Sequence, residues 1–241
     1  MSTLVVGPDL TPDWDDKFVN VRGELDKQLL RGRREPGKGW SLDDLQLLVE
    51  HRYTSERLVQ PAELEEVIAL EQEKWRQDFP KKGDLDFSDL VVFPRRAGHD
   101  WPRLTPKGIT NNRLYAAAEK LFPCWRYTNN LDTIGPAQSF TTLRWFKKVP
   151  EADEDLQNLS ANDLLVRGTA CIWLQERIRM EIDWFRETKG DHLDKQNVTL
   201  VAGSRYPGGR VPCASFRGDE FHVSGCPPGG SHPFLRARSA G

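Results

Sequence analysis

The residues best suited to chemistry are concentrated near the end of the chain. From Gln196 onward Arg205, Arg210, Arg217, Arg236 and Arg238 are opposed only by Asp219 and Glu220, while His222 and His232 add two titratable rings. Guanidinium groups grip carboxylates and phosphates in two-point fashion, so this excess of positive charge points to an anion. The stretch Ala202-Gly-Ser-Arg205 follows an apolar run, and its glycine lets backbone amides come close to a ligand. The expected ligand-binding set is Ser204, Arg205, Arg210, His232, Arg236 and Arg238. The arginines would meet the anion, and Ser204 and His232 would lend hydrogen bonds. The competing reading is that these arginines pair with the acidic N-terminal half.

Other constellations are weaker. Cys213, His222, Cys226 and His232 are metal-competent, but their spacing C-x8-H-x3-C-x5-H lacks the close ligand pair that pins two corners of a zinc tetrahedron. On an unbroken strand His222 and Cys226 would sit about 13 Å apart. No metal or other cofactor is therefore expected. Ser204 or Ser231 with His222 or His232 and Asp219 can be assembled into a triad on paper. There is no G-x-S-x-G elbow to present the serine. Cys213 or Cys226 beside a histidine would be a thiol nucleophile without a flanking signature. Glu176, Glu181 and Asp183 read as the solvated side of a helix. Two basic-aromatic clusters, Arg31 to Trp40 and Arg95-Arg96-Ala-Gly-His-Asp-Trp101, place phosphate-seeking charge near a ring that can stack. The Gly-Arg-Arg and Gly-Lys-Gly of residues 32–39 lack the strand-loop-helix context of a phosphate loop.

These groups need elements to hold them. Residues 1–40 are acidic, then rich in glycine and charge, and read as an arm or linker. Residues 41–150 mix helices and strands. Ser41 opens a short capped helix, and Pro61 opens a second with Leu64, Val67, Ile68, Trp75 and Phe79 on one stripe. Strands are expected at Asp89–Phe93, Cys124–Thr128 and Ser139–Val149, with a helix from Asn111 to Phe122. Residues 151–241 hold one long helix from Ser160 to about Lys189, apolar on two sides and therefore sandwiched, ended by Gly190. Strands at Asn197–Ala202, Val211–Phe216 and Phe221–Ser224 follow, the last two joined through Gly218-Asp219, with a short edge strand at Phe234–Ala237. The expected fold is α+β: a helical N-terminal half, then a long helix packed on a small antiparallel β-meander.

The order Asn197-Val-Thr-Leu-Val-Ala-Gly-Ser-Arg205, Gly209-Arg-Val-Pro212 and Ser231-His-Pro-Phe-Leu-Arg-Ala-Arg238 resembles a module of uncharacterised bacterial proteins. The resemblance spans roughly residues 174–238. It implies a soluble bacterial or phage-borne protein and carries over no active residue.

Composition bounds the rest. The 241 residues are 38% hydrophobic and 29% charged, with a net charge of −2. Such a chain can bury a sizeable core, and it exerts no global pull on nucleic acid or anionic membranes. Eight tryptophans read as core anchors or, less economically, as an aromatic binding face. No apolar run reaches the ~18 residues of a membrane span, and no basic n-region marks a signal peptide. Four scattered cysteines then read as reduced thiols in a cytoplasmic protein. The expectation is a non-catalytic cytoplasmic binding or regulatory protein that recognises an anionic small molecule or protein partner. A small hydrolase or transferase using a His/Cys site and a nucleic-acid-binding protein are the alternatives.

Overall fold

The computed structural model describes residues 61–81, 83–136 and 139–241. The 1–40 arm, the Ser41 helix and the Arg31 to Trp40 cluster lie outside the described residues. The described chain is mixed α+β, with four α-helices and two sheets.

Helix α1, Pro61–Asp78, starts at the proline and buries Leu64, Ile68 and Trp75 from the expected stripe. Strands β1 (Val91–Val92), β2 (Trp101–Thr105) and β4 (Thr142–Phe146) form a three-stranded sheet in the order β1-β4-β2. β4 runs parallel to β1 and antiparallel to β2. Between β2 and β4 come α2 (Asn111–Ala118) and β3 (Cys124–Arg126). The part of the N-terminal half that is described thus carries a sheet as well as helices.

Cβ alternation sends successive β4 side chains to opposite faces, and all five are buried because both faces are covered. Leu143 sits opposite Leu104, and both pack with Leu64, Ile68 and Leu90. Arg144 sits opposite Arg103 on the other face, and both meet carboxylates of the helix behind them.

The long helix of the sequence reading is two helices. Ser160 and Asp163 do make the expected capping box: Ser160 Oγ accepts from the Asp163 N–H at 3.1 Å, and Asp163 Oδ2 accepts from the Ser160 N–H at 2.9 Å. They cap only the six-residue α3, Ala161–Val166. Gly168 then turns the chain at φ +64°, and residues 170–172 run extended beside the C-terminal segment. Ile172 N–H donates to Arg238 O at 3.0 Å. Helix α4, Leu174–Glu187, starts afresh: Glu176 accepts from the Trp173 N–H at 2.8 Å and Ser204 Oγ accepts from the Leu174 N–H at 3.0 Å. Beyond its end the chain turns through Lys189 (φ +60°) and Gly190 (φ +120°).

α4 is the centre of the molecule, and every residue from Leu174 to Asp183 is buried. Leu174, Ile178, Met180 and Ile182 join Trp75, Trp101, Leu114 and Phe146 on one side and Ala214, Phe221 and Val223 on the other in one core. Its charged residues, read as solvated, are buried in ion pairs. Glu176 meets Arg144 (2.8 Å), and Arg177 meets Glu181 (2.7 Å) and Asp194 (2.8 Å). Arg179 bridges Asp183 and Asp78, and Arg103 bridges Glu71 and Asp183. Buried charges of this kind are tolerated only when paired.

The second sheet has the order β3-β7-β6-β5-β8, with β5 Val198–Leu200, β6 Val211–Arg217, β7 Glu220–Cys226 and β8 Leu235–Ala237. Gly218 and Asp219, at φ +58° and +64°, make the expected two-residue hairpin turn. The meander β5-β6-β7 is antiparallel, but both edges are parallel: β8 to β5, and β3, from the middle of the chain, to β7. Cys213 and Cys226 are joined in a disulfide across β6 and β7, which corrects the reading of four reduced thiols and removes both as metal ligands or nucleophiles. Cys124 and Cys171 are free.

Candidate functional site

The expected binding residues do not converge. Ser204 is fully buried, and its hydroxyl is spent on the first amide of α4. Arg238 is buried as well: it pairs with Asp194 at 2.7 Å and donates to the carbonyls of Val149 and Pro150. Both side chains are thus engaged by contacts within the core. Arg210 is exposed and caps the carbonyl of Gly225 beside Tyr127. Arg236 is half-buried near the carbonyl of Ala152. His232 is exposed and stacks on Phe234. His222 lies beside Trp125 on the outer sheet face, and among the described residues no three metal-competent side chains converge.

Of these residues, Arg205 lines a cavity of about 800 Å3. Its walls come from residues 93–99 after β1, residues 161–173 across the break between α3 and α4, and residues 202–205 after β5, with Arg144 of β4 and the C-terminal Ala240 and Gly241 completing them. The Arg95 to Trp101 cluster therefore supplies one wall, although Trp101 is buried behind it and offers no face for stacking.

Gly203 sets how closely the last two walls meet. Its N–H donates to Ile172 O at 3.1 Å, and a Cβ there would lie 2.5 Å from Trp173 Cδ1. The glycine admits a neighbouring strand of the same chain, whereas the sequence reading gave that role to a ligand.

Four guanidinium groups line the cavity, from Arg95, Arg96, Arg144 and Arg205, and no Asp or Glu side chain does. Arg144 is buried and rigid. It is tied to Glu176 (2.8 Å) and the Cys171 carbonyl (3.0 Å), and lies 4.3 Å from the Trp173 ring centroid. Arg95 pairs with Asp100 outside the cavity. Arg205 donates to the carbonyls of Ala202 (2.7 Å) and Ser204 (2.8 Å), which aim its head without neutralising it. Among the described residues neither Arg96 nor Arg205 has a carboxylate partner, whereas Arg95 and Arg144 do. Phe93, Leu164, Leu165 and Trp173 provide apolar wall.

Two other reactive groups reach the cavity. The Cys171 thiol is pushed up to about 11 by burial and donates weakly to Thr169 O, so it is not a thiolate near neutral pH. His99 is buried, with Nε2 3.1 Å from Ser239 Oγ, and Ser239 Oγ donates to Asp153 Oδ2 at 2.5 Å. Burial holds the His99 imidazole below its ordinary 6.5, against the opposing contacts with the Ala97 carbonyl and Asp153. Serine here lies between histidine and aspartate, which is not the order of a nucleophilic triad.

Arg95, Arg96 and His99 were visible in the sequence as a basic cluster. Arg144 carried no signal, because it reads as an interruption in a strand. No family model, curated protein or solved structure matches this chain, and the reading of the site rests on its own geometry.

Proposed function

We propose that this chain is a non-catalytic binding protein whose ligand is a small organic anion held in the cavity between residues 93–99, 161–173 and 202–205. The observation that carries this reading is the wall: among the described residues it holds four guanidinium groups, no acidic side chain and an apolar lining. Arg96 and Arg205, without a carboxylate partner among those residues, supply the charge for the ligand. Arg144, fixed by Glu176 and stacked with Trp173, positions the wall. The apolar surfaces suit a ligand with a flat or hydrocarbon body, in keeping with small-molecule sites generally. A concave site favours a small molecule over a polyanion, and Arg210, Arg236 and His232 are scattered away from it.

The test is calorimetric titration with 1,5-naphthalenedisulfonate, a flat anion that stays fully charged. Saturable one-site binding is expected, weakened at least about tenfold in the Arg96→Ala/Arg205→Ala double variant, since a charge-assisted pair contributes on the order of 1.5–3 kcal/mol. Absence of saturable binding, or binding indifferent to both arginines, overturns the reading.

A further inference from the structure

The His99 ring sits between two contacts that no neutral tautomer satisfies. Asp153 Oδ2 receives the Ser239 hydroxyl proton at 2.5 Å and the Ser239 N–H at 2.8 Å. With its one proton committed, Ser239 Oγ can only accept from His99 Nε2, at 3.1 Å. On the other side Nδ1 faces the Ala97 carbonyl at 3.3 Å, which also only accepts. Imidazole carries one N–H and imidazolium two. The surroundings are therefore built for the cation.

The groups opposing that cation are its burial and the positive charges around it. Arg96, on the same loop, and Lys147, after β4, both disfavour protonation, while Asp153 and Asp155 favour it. Lys147 is itself paired with Asp155 at 2.9 Å and lies 3.7 Å from Asp153. Arg96 is the one opposing charge on the cavity wall without a carboxylate partner among the described residues. His99 lines the same cavity as Arg96, so an anion seated there attracts the imidazolium directly as well as screening Arg96, the smallest of the groups that oppose it.

The same inventory fixes the ligand's charge. Arg95 and Arg144 are paired with Asp100 and Glu176, so among the described residues two guanidinium groups on the wall have no carboxylate partner, Arg96 and Arg205. Resting on the anion-site reading above, we propose that the ligand is a doubly charged organic anion and that its binding draws one proton from solvent onto His99. The proton bonds to Nδ1, facing Ala97, and no covalent bond to the ligand forms. The site thereby fills more readily as pH falls.

The experiment titrates the full chain with 1,5-naphthalenedisulfonate and with 1-naphthalenesulfonate, which share a ring system, differ by one charge and do not titrate themselves. Titrations at pH 5.5 and 8, in buffers of different ionisation enthalpy, give both affinity and protons exchanged. The expected result is binding of the dianion at least about tenfold tighter than the monoanion. Dianion affinity should be about fivefold higher at pH 5.5 than at pH 8, as for a group whose pKa rises by about one unit on binding. A net uptake peaking at about half a proton should appear near pH 6, as a one-unit rise requires. His99→Gln should lose both the uptake and the pH dependence, whatever its affinity. The wild-type proton count keeps the test decisive if that variant does not fold. Dianion binding without proton uptake overturns the role of His99, and equal affinity for the two probes overturns the charge assignment. In both cases the anion site itself stands. Failure of both probes at every pH overturns the site.

Discussion

Gly203→Ala isolates the joint on which the cavity depends. The added Cβ would lie 2.5 Å from Trp173 Cδ1, 2.6 Å from Cys171 O and 2.7 Å from Ile172 O. Real Cβ atoms do not come this close, so something must move. The two oxygens are backbone and each is engaged: Ile172 O accepts from residue 203 itself, and Cys171 O from Arg144. Residue 172 is held from its other side by Arg238 O. The strain must therefore be spread over the 171–173 segment and the start of α4. Overpacking of this kind costs about 1–3 kcal/mol, which for a domain of this size is a fall in Tm of about 2–12 °C at ~2–4 °C per kcal/mol. Trp173 and the Arg144 stacked on it shift with the segment, so affinity for the naphthalenedisulfonate probe should fall too. Gly208→Ala is the matched control, because Gly208 has no atom within 4 Å of a new Cβ and no positive φ. Its stability should change by less than about 0.5 kcal/mol. Thermal and urea unfolding of both variants decide the matter. If Gly203→Ala melts with Gly208→Ala and binds the probe as wild type does, the close approach of these segments is not what shapes the cavity.

Arg238→Met should destabilise by about 3–5 kcal/mol in urea melts, because it leaves Asp194 with one buried partner fewer. Arg205→Met should cost less than about 1.5 kcal/mol, since only hydrogen bonds to carbonyls are lost, yet remove most probe binding. His99 binds fewer protons folded than unfolded, because its pKa is lowered on folding. Its contribution to stability is thus complete above about 6.5 and lost as pH falls through and below that value, and His99→Asn should flatten that part of the stability–pH curve. Reducing the Cys213–Cys226 disulfide, which closes a 13-residue separation, should lower stability by about 2–3 kcal/mol. In the native oxidised chain Cys124 and Cys171, pushed up to about 12 and about 11, should resist alkylation at pH 8, a result mass spectrometry would read directly.

Local signals in the sequence carried far, and their limit has a physical origin. The Pro61 helix, the Ser160–Asp163 box and the Gly218-Asp219 hairpin each depend on residues within one turn of each other, and each is present. The disulfide was legible in principle. Counting back from the hairpin turn sets Cys213 opposite Ser224 and Val211 opposite Cys226, which makes the cysteines diagonal neighbours. What could not be read locally is the fate of charge. Glu176 looks like a solvated helix position because its partner Arg144 lies 32 residues away, and Glu181 because, besides Arg177 one turn earlier, it is met by His192 from beyond the helix. Asp78 and Arg179 are separated by 101 residues. The break at Gly168 was masked by the apolar residues on either side of it, which continue at helical spacing although residues 170–172 are extended.

The buried ion pairs also explain why a basic cavity exists in a chain with a net charge of −2. Arg103, Arg144, Arg177, Arg179 and Arg238 are all buried, and each has a carboxylate within 4 Å. Charge at the core is thus cancelled pair by pair, as the cost of burying it requires. Anything left over must sit where solvent or a ligand can reach it. Of the arginines expected to bind, Arg238 falls in the first group and Arg205 in the second, although they belong to the same basic stretch of sequence. Their difference is positional: β8 carries the chain past α4 and Asp194, while the turn after β5 delivers Arg205 to the gap between α3 and α4. Asp194→Asn followed by Arg238→Met should therefore act non-additively on stability, the second change costing far less once the first is made, and neither should alter the two-arginine charge count that the cavity presents to its ligand.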